Sequence, residues 1–290
     1  MKKIKVLMLL VFSLTGVLPS FVEAYFDGGI NYVTGKDGYN GQDLYLTIGG
    51  DNWWVKPGYS SWDRDSIDEK FSVFGAKIGF EKETYTLSFG ASTTPEKNYY
   101  KNVSVSGDIT FSLNPTSSSR KRIAGPNSGP ASKSASGVTQ IDIGGQVNLT
   151  AHTYTDSDKD LKELDISLFA GAKVFMVNLS ANYTFSSYDD NDLSKQKAPG
   201  TLRLYGMSSY FGSFTKSNFN FKIDIPGSPF VTPFVSYNRV KFTDDTDDLD
   251  VYGIGGYIDL NMVRATVKYE TYKNGDKRSN FISVAAGLSF

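Results

Sequence analysis

Phe281-Ile282-Ser283-Val284-Ala285-Ala286-Gly287-Leu288-Ser289-Phe290 is the stretch on which the fold of this 290-residue chain turns. Leu288, Ala286, Val284 and Ile282 recur at every second position, and Ser289, Gly287, Ala285 and Ser283 between them are small or polar. A period of two places the first set on one face of a β-strand and the second on the other. The segments before it repeat the scheme. Val263, Ala265, Val267 and Tyr269 lead to the turn Asn274-Gly275, and Tyr252, Ile254, Ile258 and Leu260 lead to Asn261-Met262.

Segments of about ten residues with this alternation recur along the chain, separated by turn-rich breaks. Phe74, Ala76, Ile78 and Phe80 pass through Glu81-Lys82-Glu83 to Tyr85, Leu87, Phe89 and Ala91, a hairpin with a short turn. Val103, Val105, Ile109, Phe111 and Leu113 form the next apolar face, followed by Ile141, Ile143, Val147 and Leu149. Leu164, Ile166, Leu168, Ala170, Ala172 and Val174 return through Leu179, Ala181, Tyr183 and Phe185. Phe219, Phe221, Ile223 and Ile225 end at the turn signal Pro226-Gly227-Ser228-Pro229. The strand from Phe230 to Phe242 has no clear facing. In the first third, strands are expected near Tyr25 to Val33, Asp43 to Ile48, Trp53 to Trp62 and Phe71 to Phe80, with Gly49 to Asn52 as a turn.

A final strand that stops on an aromatic residue resembles the closing strand of bacterial outer-membrane β-barrels. The resemblance implies a single closed antiparallel transmembrane β-barrel over 25–290 in the cell outer membrane, with Phe290 as part of the signal read by the barrel assembly machinery. It also implies contact with outer-membrane lipid and lipopolysaccharide. Barrels of this kind keep both termini and the short turns on the periplasmic side and long loops outside. Counting back from Phe290 on that rule gives about fourteen strands, with twelve or sixteen as alternatives. Two segments strain the count. Leu202 to Phe211 reads as strand-like but has no place of its own, so it belongs to a long strand or to an ordered outer loop over the mouth. Parity puts the Ser/Gly/Pro-rich stretch Asn114 to Gly137 in the periplasm, although its length suits the outside.

At the other end, Lys2, Lys3 and Lys5 precede an apolar run from Val6 to Leu18, and Val22-Glu23-Ala24 offers small residues at cleavage spacing. Residues 1–24 read as a secretory signal peptide. Ser13, Thr15, Gly16 and Pro19 make the run too short and weak for a membrane-spanning helix, which needs roughly 20 apolar residues. No later apolar run approaches that length, so a membrane location requires a closed barrel. The chain carries 30 Lys+Arg and 31 Asp+Glu, and losing 1–24 leaves it slightly more acidic. Such a balance offers no general field for nucleic acid. Zero cysteines excludes a disulfide framework and Cys-ligated metals. No cofactor motif is present.

Candidates for chemistry are few. His152 is the only histidine, so a histidine-based hydrolase would have to use it. Thr150 and Tyr154 are its same-face neighbours, Asp156 and Asp158 lie in the following loop, and no catalytic motif accompanies it. The acidic groups Asp156/Asp158/Asp160, Asp189/Asp190/Asp192 and Asp244/Asp245/Asp247/Asp248/Asp250 lack the glycine and glutamate positions of an EF-hand. They read as solvated outer loops. Trp53, Trp54 and Trp62 are expected in the aromatic girdles at the membrane interfaces. Arg120-Lys121-Arg122 with Lys133 reads as a solvated basic loop, and Gly144-Gly145 as a bend in a curved sheet.

The inward face carries the pore-lining candidates Lys77, Lys173, Lys222, Arg264 and Lys268 against Asp108, Asp142, Asp165, Asp224, Asp259 and Glu270. Eight strands are filled by side chains and sixteen to eighteen leave an aqueous channel, so about fourteen should enclose a narrow or partly plugged lumen. The leading expectation is a non-enzymatic, passive, weakly selective diffusion channel for small polar solutes, similar to porins. The alternative is a structural or surface-interaction barrel with a closed lumen and binding outer loops. Inward charges paired across the lumen favour the alternative; charges segregated on opposite walls favour the channel. The oligomeric state is not legible.

Overall fold

The computed structural model of the chain describes residues 25–65, 67–114, 122–128, 140–225, 231–260 and 262–289. The signal peptide expected over 1–24, the turn at 226–229, Asn261, Arg120, Lys121, Lys133 and the terminal Phe290 lie outside the described residues. In the first half the strands are β1 (Tyr25–Gly35), β2 (Asn40–Gly49), β3 (Trp53–Arg64), β4 (Ile67–Glu81), β5 (Tyr85–Lys97), β6 (Tyr100–Leu113), β7 (Ile141–Tyr154) and β8 (Lys159–Val174). They continue as β9 (Val177–Tyr188), β10 (Lys197–Leu202), β11 (Phe211–Ser213), β12 (Thr215–Asp224), β13 (Val231–Phe242), β14 (Leu249–Leu260), β15 (Val263–Asn274) and β16 (Lys277–Ser289). Fourteen of them form one closed antiparallel barrel, in which β9 pairs with β12, and β10 and β11 form a separate two-stranded sheet.

The C-terminal strand closes the cylinder. β16 pairs with β15 from Val263↔Leu288 to Asn274↔Lys277 and with β1 from Asp27↔Ser289 to Gly35↔Phe281. With every strand flanked on both sides, no row of backbone N–H and C=O groups is left as an edge, which is the condition for strands to cross lipid. Among the described residues no helix is long and apolar enough to cross a membrane.

The predicted facings hold along most strands. Ile282, Val284 and Leu288 of β16 point outward and are about half exposed, whereas Phe281 and Ser283 are buried inside. Phe74, Ile78, Phe80, Phe89, Val103, Val105, Ile166, Leu168, Tyr183, Ile254 and Val267 are likewise exposed on the outer wall. Large apolar side chains facing away from the barrel on strand after strand form the belt that lipid, and not water, covers. The strand of uncertain facing, β13, resolves with Thr232, Phe234, Asn238 and Val240 inside and Val231, Val235, Arg239 and Lys241 outside. Its pattern misleads because an aromatic ring, Phe234, turns inward to stack on Tyr257 at 4.7 Å. Charged Arg239 and Lys241 stand outside toward the loop end of the strand.

Both termini of the barrel, the turns at 50–52, 82–84 and 175–176 and Met262 lie at one end, called here the terminal end; the connections at 36–39, 155–158, 189–214 and 243–248 lie at the other. Leu113 and Ile141, the strand ends that flank the long connection between β6 and β7, lie at the terminal end.

Candidate functional site

Inside the barrel the wall is not bare, because two segments fold back into it from opposite ends. From the terminal end, residues 122–128 enter beside β4 to β8. Arg122, 2% exposed, donates to the Thr86 hydroxyl (2.7 Å), to the carbonyls of Lys82 (2.5 Å) and Glu83 (3.0 Å), and to the Ser112 hydroxyl. The Ile123 N–H donates to Asp142 (2.5 Å), and Asn127 donates to Asp108 (2.7 Å) and Ser88 (3.2 Å). The wall makes room for this segment at Gly171, where an added Cβ would lie 2.8 Å from Ile123 and 2.9 Å from Ala124. The expectation of a solvated basic loop is thus corrected for Arg122. A guanidinium can be taken inside because five fixed donors meet a cluster of carbonyl and hydroxyl oxygens.

From the opposite end, the connection between β9 and β12 dips into the lumen at 203–210, between the short strands β10 and β11. Arg203 pairs with Asp43 of β2, and its Nε reaches the Met207 carbonyl at 3.4 Å. Lys268 donates to the Gly206 carbonyl (2.6 Å), and the Tyr272 hydroxyl accepts from the N–H groups of Ser208 and Ser209 (3.2 Å each). Gly206 has φ +81 and lies so near Asn220 that an added Cβ would be 2.5 Å from its amide nitrogen. The stretch Leu202 to Phe211 is therefore neither a barrel strand nor a cover above the mouth, but an ordered segment inside it. The two segments meet where the Ser128 and Tyr205 hydroxyls lie 2.9 Å apart.

Met207 and Tyr210 complete an apolar cap at the loop end of the lumen with Val33, Tyr39, Trp62, Phe71, Val240, Leu249, Val251, Tyr272 and Phe281. Trp62 is fully buried, stacked on Phe71 at 4.8 Å and Tyr210 at 5.7 Å. Burying one such ring stabilises by about 1.5–3 kcal/mol. In the turn before β2, burial pushes the Tyr39 phenol up to about 12. Of the three tryptophans, Trp53 faces outward as expected of a girdle, but Trp54 and Trp62 do not. Their rings have inward partners, Gly79 for Trp54 and the cap for Trp62, so the girdle expectation is corrected for both.

The inward charges pair along the wall. Lys77 lies 3.1 Å from Asp108, Lys222 2.8 Å from Asp224 and Lys268 2.6 Å from Glu270, while Arg264 lies 3.3 Å from Asp27 and 3.8 Å from Asp259. Asp142 accepts from Ser112 (2.5 Å) and Gln140 (3.1 Å), and Asp165 from Ser186 (2.6 Å) and Asn148 (3.1 Å). Lys173 is buried near the terminal end of β8. Lys222–Asp224 and Lys268–Glu270 join positions two apart on one strand and Arg264–Asp259 joins adjacent strands, while Lys77–Asp108 and Arg264–Asp27 each reach across one intervening strand.

His152 is also part of the wall. Its Nδ1 lies 2.6 Å from the Tyr100 hydroxyl and its Nε2 2.9 Å from Glu163, whose other oxygen accepts from Tyr188 (2.6 Å). The carboxylate beside it is Glu163 on the adjacent strand, not Asp156 or Asp158. Both ring nitrogens are engaged, so the imidazole ties strands together. Several loop carboxylates accept from backbone N–H groups, Asp190 (from Asp192 and Leu193) and Asp244 (from Thr246) within their own loops and Asp189 from Lys162 of β8.

Two adjoining cavities lie beside the segments, against β1 to β7 with β15 and β16. One cavity of about 500 Å³ is lined by Asn31, Asp43, Tyr59, Ser60, Lys77, Ser92, Ser104, Ser106, Asn148 and Arg203, among others. A second, of about 530 Å³, lies toward the terminal end and is lined by Tyr25, Asp27, Thr47, Trp54, Glu81, Arg122, Arg264 and Ser289, among others. Tyr45, Lys56 and Asn127 line both, so the two adjoin there. Of the eleven sequence candidates only Lys77 and Arg264 line these spaces. Lys56, Asp43, Asn127 and Arg203 were missed. Lys56 and Asp43 could have been found from the alternation of β2 and β3; nothing local marks Asn127 or Arg203.

No family model and no curated protein matches the chain. Solved structures do. CdiB from Acinetobacter baumannii is similar with a TM-score of 0.50 at 10% identity, over 92% of this chain and 60% of that one. Pseudomonas aeruginosa OccK10 (OpdN) has a TM-score of 0.46 at 8% identity, over 92% and 98% of the two chains. The KdgM porin, solved in complex with disordered oligogalacturonate, has 0.45 at 9%, over 91% and 99%. The chain spans less than two thirds of the CdiB chain, and at these identities the likeness is one of fold. A closed fourteen-strand antiparallel barrel with an apolar outer belt is the fold of this chain, and it is the fold that the likeness to CdiB reflects.

Proposed function

We propose that the protein is a passive, weakly selective diffusion channel for small polar solutes, exported by a signal peptide over 1–24 and seated in lipid and lipopolysaccharide after handling by the assembly machinery. The observation that carries this reading is the pair of adjoining cavities, about 500 and 530 Å³, lined by Ser, Asn, Tyr and charged side chains of β1 to β7 together with Arg264 and Ser289, inside a wall whose charges pair with one another. Solutes would pass over Ser, Asn and Tyr side chains on that side, while residues 122–128 and 203–210 narrow the rest. A weakly selective path needs water and modest polar contacts, not a tight site.

A second reading, a closed barrel whose outer loops bind a partner, is favoured by the apolar cap that Met207 and Tyr210 complete. Planar-bilayer recording of the purified protein separates the two. Discrete conductance steps support the channel, and a silent bilayer with verified insertion refutes it in favour of the closed barrel.

A further inference from the structure

We infer that the lumen holds a binding site for small oxyanions, carboxylate, phosphate or sulfate, centred on the Lys56 ammonium where the two cavities adjoin; the inference deepens the channel reading. Lys56 on β3 stands directly opposite Lys77 on β4 in the strand register, both inward. Like charges facing each other across a strand pair destabilise a sheet unless something offsets them. Asp108 offsets Lys77 at 3.1 Å, and its own side chain is fully buried behind that contact. Lys56 has no such partner. Among the described residues its ammonium has no carboxylate within ion-pair distance and rests 5.2 Å above the Tyr45 ring.

The surroundings supply the rest of a site. In the upper cavity Lys56, Lys77 and Arg203 stand against one lining carboxylate, Asp43, which is already engaged by Arg203. The hydroxyls of Ser92 and Ser106 share that space, while the Asn127 amide there is engaged with Asp108 and Ser88. Below it the second cavity adds Glu81 and Asp27, which Arg264 engages and which acts on Lys56 at longer range. An oxyanion at Lys56 would meet one ammonium with no ion-pair partner among the described residues, a paired one beside it and two serine hydroxyls, with hydrogen bonds to charged groups the stronger kind. A cavity of about 500 Å³ admits a small organic acid.

Reversal potentials in a KCl gradient test this, with Lys56→Gln and Lys56→Glu compared to the unaltered channel. Because the lumen lies within a Debye length of about 8 Å, the unaltered channel should favour chloride, Lys56→Gln should lower the chloride-to-potassium permeability ratio by about twofold or more, and Lys56→Glu should lower it further. Preference for potassium in the unaltered protein, or an unchanged ratio in a conducting Lys56→Gln channel, would overturn the inference. A bilayer that never conducts counts against the channel reading instead, and a second measurement then decides this one. Reductive methylation of the folded protein in detergent, read by mass spectrometry with and without citrate, should show Lys56 protected relative to Lys82 in the turn after β4. Equal labelling of both lysines with citrate present would overturn the site.

Discussion

Arg203 is the side chain whose loss should most clearly expose how the lumen is closed. Its guanidinium pairs with Asp43, lies 5.5 Å from the Tyr210 ring centroid and reaches the Met207 carbonyl, so one residue fastens the segment 203–210 to the β2 wall. The two charged side chains are 26% and 17% exposed, between a surface pair worth about 0.2–1 kcal/mol and a buried one that costs about 3–5 kcal/mol to break. A coupling of about 2 kcal/mol follows from that intermediate burial. Arg203→Ala also loses the ring contact, about 1 kcal/mol more, for a total of about 3. Asp43→Ala should cost about 2 and the double variant about 3, since the pair is lost only once. Urea unfolding in lipid vesicles, followed by the fluorescence of Trp62 in the adjoining cap, measures all three. Single-channel recording of Arg203→Ala should show larger steps, because the freed segment no longer narrows the path. Single costs that add to within about 0.5 kcal/mol, with unchanged conductance, would refute the fastening argument.

Val267→Lys on the outer face should destabilise by roughly 2–4 kcal/mol if it lies near mid-bilayer, against a small cost for inward Thr266→Lys, and comparable values would overturn the facings. Ser88→Lys is not the mild inward control that alternation alone suggests, because Ser88 is buried against Asp108 and Asn127. Gly171→Val would push Ile123 and Ala124 from their seat and should speed protease cleavage within 122–128 without loss of the folded barrel; an unchanged digestion pattern counts against the docked segment. Lys268→Gln leaves Glu270, 1% exposed, without its partner and should cost about 3–5 kcal/mol, whereas Arg264→Gln, whose groups are about a quarter exposed, should cost less and act on ion selectivity; melting curves rank the two. Removing Phe290 should impair assembly, as the family resemblance implies, and normal heat-modifiable migration and yield would sink that expectation.

Period-two alternation by itself marked the strands and their apolar faces, because lipid imposes one rule on the outer face of every strand, whereas closure into a barrel came from the family resemblance. Ile282, Val284 and Leu288, or Phe74, Ile78 and Phe80, are outside whatever the lumen does, and their repetition yields about fourteen strands. The inward face obeys no comparable rule. Lys77 and Arg264 could be placed inside by register, but their partners Asp108 and Asp27 come from other strands. Trp62 reads as a membrane-interface aromatic until Met207 and Tyr210 arrive from another loop to cover it together with the inward Phe71 and Phe281. Arg122, Asn127 and Arg203 sit in stretches whose composition signals only a loop, and it is wall groups distant in sequence, Thr86, Asp108 and Asp43, that draw them inward. What fills the barrel is set by contacts between segments up to 171 residues apart, which no local pattern encodes.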